Sequence, residues 1–175
     1  MIERIIIAGA GGQGVMLLGK VLAEAAMREN KFVTWLPSYG AEVRGGTAHC
    51  MVVVSDKEIG SPYIDKADTL IIMNKPSLTK FENRVGPGGL SIINSSLAGE
   101  ALDKAGTLVK QPFTDVAEKL GNVKTTNMVA LGCYIGHKKI IDPTTIKKVI
   151  MDIAPKDKQS LVEINQQAFS AGLNL

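Results

Sequence analysis

The 175-residue chain reads as an α/β protein with a doubly wound, mainly parallel sheet and helices on both faces. Three observations predict it. A β-branched run at residues 4–8 ends in glycines, as a strand buried on both faces does. The turn at residues 9–14 is followed by apolar residues at helical spacing, and residues 32–36 then return as a second apolar run. Strand, tight turn, helix and strand in that order predict a right-handed βαβ unit and hence a Rossmann-like opening.

The first strand needs no alternation, because both of its faces meet helices. In the helix at residues 15–28, Val15, Leu18, Val21, Leu22, Ala25 and Ala26 form one stripe. Pro37 is expected to stop the second strand, and a loop over 37–46 leads to a third apolar run at 51–54. That loop exceeds the usual connection of roughly 2–6 residues, which favours a functional segment. Further strands are expected at 69–73 and 90–94, with a sharp turn at 86–89 (Gly-Pro-Gly-Gly). Residues 112–120 read as a helix with proline near its start. Residues 127–138 read as another, whose Gly132 and Gly136 would let another chain approach closely. Asp142 and Pro143 announce a helix as N-cap and first residue, ending near Ala154. A final amphipathic helix at 157–169 is followed by a frayed tail. No repeat or linker interrupts the chain, so residues 1–175 are expected to form a single domain.

With 45% hydrophobic and 21% charged residues the chain has the composition of a packed globular protein. A net charge of +3, with its basic residues scattered, offers no stripe for a phosphate backbone, so nucleic acid is not expected as a partner. Neither a signal peptide nor an apolar stretch of about 20 residues is found, which predicts a cytoplasmic protein without a membrane span. Cys50 and Cys133 stand far apart without C-x-x-C spacing. They read as buried free thiols, and any iron–sulfur cluster in the system must sit in another chain.

Gly9, Gly11, Gly12, Gln13 and Gly14 belong to a G-x-G-x-x-G turn placed between strand and helix. Such a turn lets backbone N–H groups reach an anion at a helix N-terminus, while its last glycine allows helix and strand to pack closely. A dinucleotide site also asks for an acid about twenty residues later, at the end of the second strand. Trp35, Leu36, Pro37 and Ser38 stand there instead, and Glu42 comes later, in the loop. Glycines used only for turning and packing are the simpler reading.

The loop carries Ser38, Tyr39, Arg44, Gly45 and Gly46, and in a parallel sheet it should lie at the carboxyl end beside the glycine turn. Arg44 is suited to fork onto a phosphate or carboxylate beside donors of the two glycines. An internal Arg44–Glu42 contact is the alternative. The two segments, with Gly19-Lys20 after the first, resemble the gamma subunit of the pyruvate/2-ketoisovalerate/2-oxoglutarate:ferredoxin oxidoreductases. Ile59-Gly60-Ser61-Pro62, Ala67-Asp68 and the run from Asn127 to Gly132 agree with it.

The resemblance implies CoA-dependent oxidative decarboxylation of a 2-oxoacid to an acyl-CoA. Thiamine diphosphate and magnesium would sit in alpha and beta chains, and iron–sulfur clusters in other subunits such as a ferredoxin-like delta chain that passes electrons to external ferredoxin. It associates the gamma part with access of coenzyme A, and the residues expected at such a cofactor are those of the two segments above. No catalytic or metal-ligating residue is expected in this chain, which offers no acid–base constellation of its own.

His49 reads as a hydrogen-bonded structural histidine and His137 as a cation near a helix C-terminus. Trp35 reads as a core anchor, Tyr39 as a rim contact, and Tyr63 as packing against a partner or within a turn. The competing functions are a free-standing NAD- or flavin-binding oxidoreductase, a non-catalytic nucleotide-binding regulatory module, and a related indolepyruvate enzyme.

Overall fold

The computed structural model describes residues 1–38, 47–99, 106–154 and 159–175. Six strands form one sheet: β1 (Ile2–Ala10), β2 (Phe32–Ser38), β3 (Thr47–Ser55), β4 (Ala67–Ile72), β5 (Val85–Asn94) and β6 (Thr107–Gln111). Their order is β2-β3-β1-β4-β5-β6. Helices α1 (Val15–Arg28), α2 (Lys75–Phe81), α3 (Ser95–Ala98), α4 (Phe113–Lys119), α5 (Thr126–Lys138), α6 (Pro143–Ile153) and α7 (Gln159–Gly172) cover both faces. In β1, Ile5 and Ile7 join a core with α1, α4, α5 and α6, while Ile6 and Ala8 join another with Leu78, Phe81 and Ala98. Strand alternation thus places one apolar run in two cores.

β1, β4, β5 and β6 pair in parallel, which fits the mainly parallel sheet that the sequence predicts. The simple βαβ expectation needs correction. β2 runs in the direction of β1 but is not its neighbour, because β3 inserts antiparallel between them. Pro37 does not stop β2, which runs on to Ser38, with Pro37 opposite Cys50. An edge strand tolerates proline because an outward N–H is not needed for the ladder. The expected turn at 86–89 lies inside β5 as an irregularity, where the register passes from Ala67↔Val85 to Thr69↔Leu90. Helices α2 and α3 and strand β6 were not expected; each is short, and periodicity is weak over so few residues.

α5 is buried along ten consecutive residues, from Thr126 to Ile135, because it lies between the sheet side and α7. Its glycines serve that contact rather than another chain. A Cβ on Gly132 would strike the Phe169 carbonyl, and one on Gly136 would stand 2.8 Å from the Leu173 carbonyl oxygen. The end of the chain is correspondingly packed: Leu173 and Leu175 touch the core instead of fraying. Asp142 caps α6 as expected, accepting from the Thr144 N–H at 2.7 Å.

Candidate functional site

The glycine turn leaves β1 and enters α1 at the carboxyl end of the parallel strands. Gly12 (φ 87°) and Gly14 (φ 72°) occupy the left-handed region, which a side chain would strain. Gly9 is needed for space instead: a Cβ there would stand 2.7 Å from Gln13 Oε1 and 2.9 Å from Val15 Cγ1. Gln13 closes the turn. Its Oε1 accepts from the Ala10 N–H at 2.6 Å, and its Nε2 donates to the Met73 carbonyl at 3.4 Å. The side chain of Gln13 therefore shapes the loop and links β1 to the end of β4.

Gly14 is expected to bring helix and strand together, but its close neighbour is Asn127 of α5, whose Nδ2 would lie 2.5 Å from an added Cβ. As N-cap of α1, Gly14 provides no side-chain cap, and no acidic residue follows in the first turn. A helix start leaves its first N–H groups without intrahelical partners and carries partial positive charge, so this end of α1 favours an anion.

A cleft of about 380 Å³ opens at that helix start, between Gly11, Gly12, Val15 and Leu17 on one side and Ser38 and Ala48 on the other. Its walls are mostly apolar, and Ser38 is the hydroxyl-bearing residue among them. Ser38 lies opposite His49, and Thr47 opposite Ala10, so the connection between β2 and β3 springs from the rim of the cleft. Tyr39, Arg44, Gly45 and Gly46, which carry the other half of the expected site, lie outside the described residues, as does Glu42. A smaller hollow of about 150 Å³ flanks the turn on its other side, where Gln13, Thr114, Lys124 and Thr126 meet exposed Leu97 and Val123.

The sheet order bears on the missing ribose acid. In a dinucleotide site that acid ends the strand next to β1. Here the neighbour is β3, running the opposite way, so its first residues Thr47 and Ala48 occupy that end.

Buried polar residues around the turn escaped the sequence reading. Asn127 Nδ2 donates to the Gly14 carbonyl at 3.1 Å. Fully buried Asn94, at the end of β5, donates to the Met73 carbonyl at 3.2 Å and to Thr114 Oγ1 at 2.9 Å. Asn127 left a signal, as a polar residue at the head of an otherwise apolar helical stretch. Asn94 left none beyond its place at a strand end.

The remaining singled-out residues do other work. Among the described residues the His49 ring makes no side-chain hydrogen bond; it lies against Phe81, with ring centroids 4.8 Å apart and planes tilted by 52°. Burial, and then the nearby Lys80 and Arg84 cations, hold its pKa below the ordinary histidine value. His137 Nδ1 lies 2.9 Å from the Cys133 carbonyl oxygen near the end of α5. Burial pushes the free Cys50 thiol up to about 12 and the free Cys133 thiol up to about 11, so both are inert at neutral pH. Trp35 packs against the larger core from the edge strand. Tyr63 is exposed; its N–H donates to Ser61 Oγ at 3.1 Å within the turn, and the Arg84 guanidinium lies over its ring. Among the described residues no cluster of three or more His, Cys, Asp or Glu side chains is arranged to hold a metal ion. No described helix is long and apolar enough to cross a membrane.

The chain is 36% identical over 174 residues to the ketoisovalerate oxidoreductase subunit VorA of Methanothermobacter thermautotrophicus; the match takes in 97% of the chain but 35% of VorA. It thus spans about a third of that relative's length. The crystal structure of the keto/oxoacid ferredoxin oxidoreductase gamma subunit from Geobacter sulfurreducens superposes with a TM-score of 0.86 at 26% identity, covering 98% of this chain and 96% of that one. The fold recurs, with a TM-score of 0.86 at 24% identity, in the 2-oxoglutarate:ferredoxin oxidoreductase from Magnetococcus marinus with 2-oxoglutarate, coenzyme A and succinyl-CoA bound; 98% of this chain and 30% of that one are covered. Residues 4–175 match the family described as pyruvate ferredoxin/flavodoxin oxidoreductase, and the chain belongs to that family.

Proposed function

We propose that this chain is a gamma-type subunit of a 2-oxoacid:ferredoxin oxidoreductase, one domain over residues 1–175 that receives coenzyme A and completes a chamber built by its partners. The observation that carries the reading is the uncapped start of α1 opening onto the 380 Å³ cleft at the carboxyl end of the sheet. An anionic group fits the helix start, and an apolar or amide-bearing arm fits the walls. Coenzyme A has both, and it would supply the thiol that takes up the acyl group.

Magnitudes require help from outside the turn. A helix N-terminus contributes roughly 0.3–1 kcal/mol, up to about 2, towards a nearby negative charge. Micromolar binding needs about 8 kcal/mol. In this reading the rest comes from cleft walls, from Arg44, Gly45, Gly46 and Tyr39 in the adjoining loop, and from partner chains. Leu36, Leu97 and Val123 are exposed apolar residues on the adjoining strand and at the smaller hollow, and they suit burial against such partners.

The division of labour follows from the family resemblance, by which thiamine diphosphate and magnesium are assigned to alpha and beta chains. The described residues of the cleft, which offer no acid–base pair, are consistent with it. A ferredoxin-like delta chain is assigned the clusters that deliver electrons to ferredoxin. This chain orients coenzyme A and excludes water, and selection of the 2-oxoacid falls to the partners. A cytoplasmic setting goes with these assignments. The insertion of β3 beside β1 disfavours a free-standing NAD or flavin enzyme.

The test is Arg44→Ala in the complex reconstituted from purified chains. A rise of about tenfold in KM for coenzyme A, as loss of one charge-assisted hydrogen bond gives, is expected. Unchanged coenzyme A dependence together with unchanged assembly would remove both roles given to the loop.

A further inference from the structure

We infer that Asn127 is a positioning residue for the coenzyme A cleft, tying the glycine turn to α5 and thereby fixing the direction of the donors at the start of α1. The inference rests on the proposed reading of the cleft and adds to it a residue that does not line it.

A turn with four glycines in six residues has little conformational preference of its own, so its donors must be held by something else. Two side chains do this from opposite sides. Gln13 fastens the near side to β1 and β4. Asn127, 113 positions along the chain from Gly14 and 2% exposed, fastens the far side. Its Nδ2 donates at 3.1 Å to the Gly14 carbonyl, the same oxygen that accepts the first helical bond of α1, from Leu18 N–H at 2.9 Å. Orienting that peptide orients the beginning of the helix. Asn127 also fills the space a Gly14 side chain would need, with Nδ2 and Cγ at 2.5 and 2.8 Å from the Cβ position.

The other half of the amide shows what the residue is for. Asn127 Oδ1 is buried and has no hydrogen-bond partner among the described residues. A buried acceptor left unpaired costs stability, whereas an apolar side chain would carry no such penalty. Packing alone is therefore a poor account of an amide at this position. The Gly14 contact gives it a purpose, because an apolar side chain cannot hold that carbonyl.

The test uses Asn127→Leu and, in case the larger apolar group misfolds, Asn127→Ser, whose hydroxyl falls short of the Gly14 carbonyl. Leu17→Glu, at an exposed wall of the cleft, is the control for the reading beneath it, since a carboxylate there repels an anionic ligand. Three quantities are measured: melting temperature, hydrogen exchange of the amides of residues 11–18 in the full chain, and KM for coenzyme A and for the 2-oxoacid in the reconstituted complex. Expected for Asn127→Leu are an unchanged or higher melting temperature, faster exchange at 11–18, and a five- to tenfold rise in KM for coenzyme A, roughly what one hydrogen bond is worth. Both kcat and KM for the 2-oxoacid should hold. If Leu17→Glu raises KM for coenzyme A while the Asn127 variants change neither exchange nor KM, the positioning role is overturned and the cleft reading survives. If the Asn127 variants lower only the melting temperature, Asn127 is a packing residue and the inference is likewise overturned. If Leu17→Glu leaves coenzyme A unaffected, the cleft reading falls and takes the inference with it.

Discussion

Gly132 on α5 lies against the backbone carbonyl of Phe169 on α7 so closely that no Cβ fits between them, and Gly172 meets the Val129 carbonyl in the same way from the other helix. Two opposed tendencies act on an alanine at position 132. Helix propensity favours alanine over glycine by about 1 kcal/mol. Against it, a methyl group forced onto backbone rather than onto a pliable side chain must push the helices apart, and overpacking typically costs about 1–3 kcal/mol, occasionally more. The steric term should win. Gly132→Ala is expected to lower the melting temperature by several degrees, at about 2–4 °C per kcal/mol for a chain of this size. Thermal denaturation followed by circular dichroism checks it, and an unchanged or raised melting temperature would show that α7 can withdraw freely.

That contact also marks where sequence reading reaches its limit. Periodicity located α1 in full and found β1, β4 and the C-terminal helices, because burial of a strand on two faces or a helix on one leaves a local pattern. It placed Gly132 and Gly136 correctly as sites of close approach but named the wrong approacher, since nothing local says that residues 159–172 will return to α5. The same holds for β3. Its apolar run was legible, yet its insertion beside β1 is a long-range choice that a run of β-branched residues does not encode. At the site, the glycine turn was visible because its steric demands are local. Asn94 was not, and Asn127 showed only as a polar residue heading an apolar helix, because each acts on residues far along the chain.

His49 supplies a pH-dependent test. Burial, followed by Lys80 and Arg84, lowers its pKa in the folded state below the unfolded value of about 6.5. The unfolded chain then binds the proton more readily, so the contribution of this residue to stability is present above about pH 6.5 and is lost as pH falls through the folded pKa. Urea denaturation should show a lower midpoint at pH 5.5 than at pH 7.5, and His49→Gln, which stays neutral, should narrow the gap. An equal gap in the variant would assign the pH dependence to other groups. The thiols of Cys50 and Cys133, with pKa values about 12 and about 11, do not titrate over this interval.

Glu3 and Lys138 give an asymmetry that a simple ion-pair count would miss. The Glu3 side chain is 8% exposed and that of Lys138 27%. Lys138 Nζ lies 3.1 Å from Glu3 Oε1, which also accepts from Thr69 Oγ1 at 2.6 Å. Removing the carboxylate charge in Glu3→Gln leaves an ammonium that can turn towards water and keeps an acceptor for Thr69, so a cost of about 1 kcal/mol is expected. Removing the cation in Lys138→Met strands a charge inside. Breaking a fully buried pair costs about 3–5 kcal/mol, and the partial exposure of Lys138 reduces this to roughly 2–3 kcal/mol. Lys138→Met should therefore melt several degrees below Glu3→Gln at pH 7. Equal melting temperatures would mean that water reaches the Glu3 carboxylate in solution and that the pair contributes no more than a surface contact.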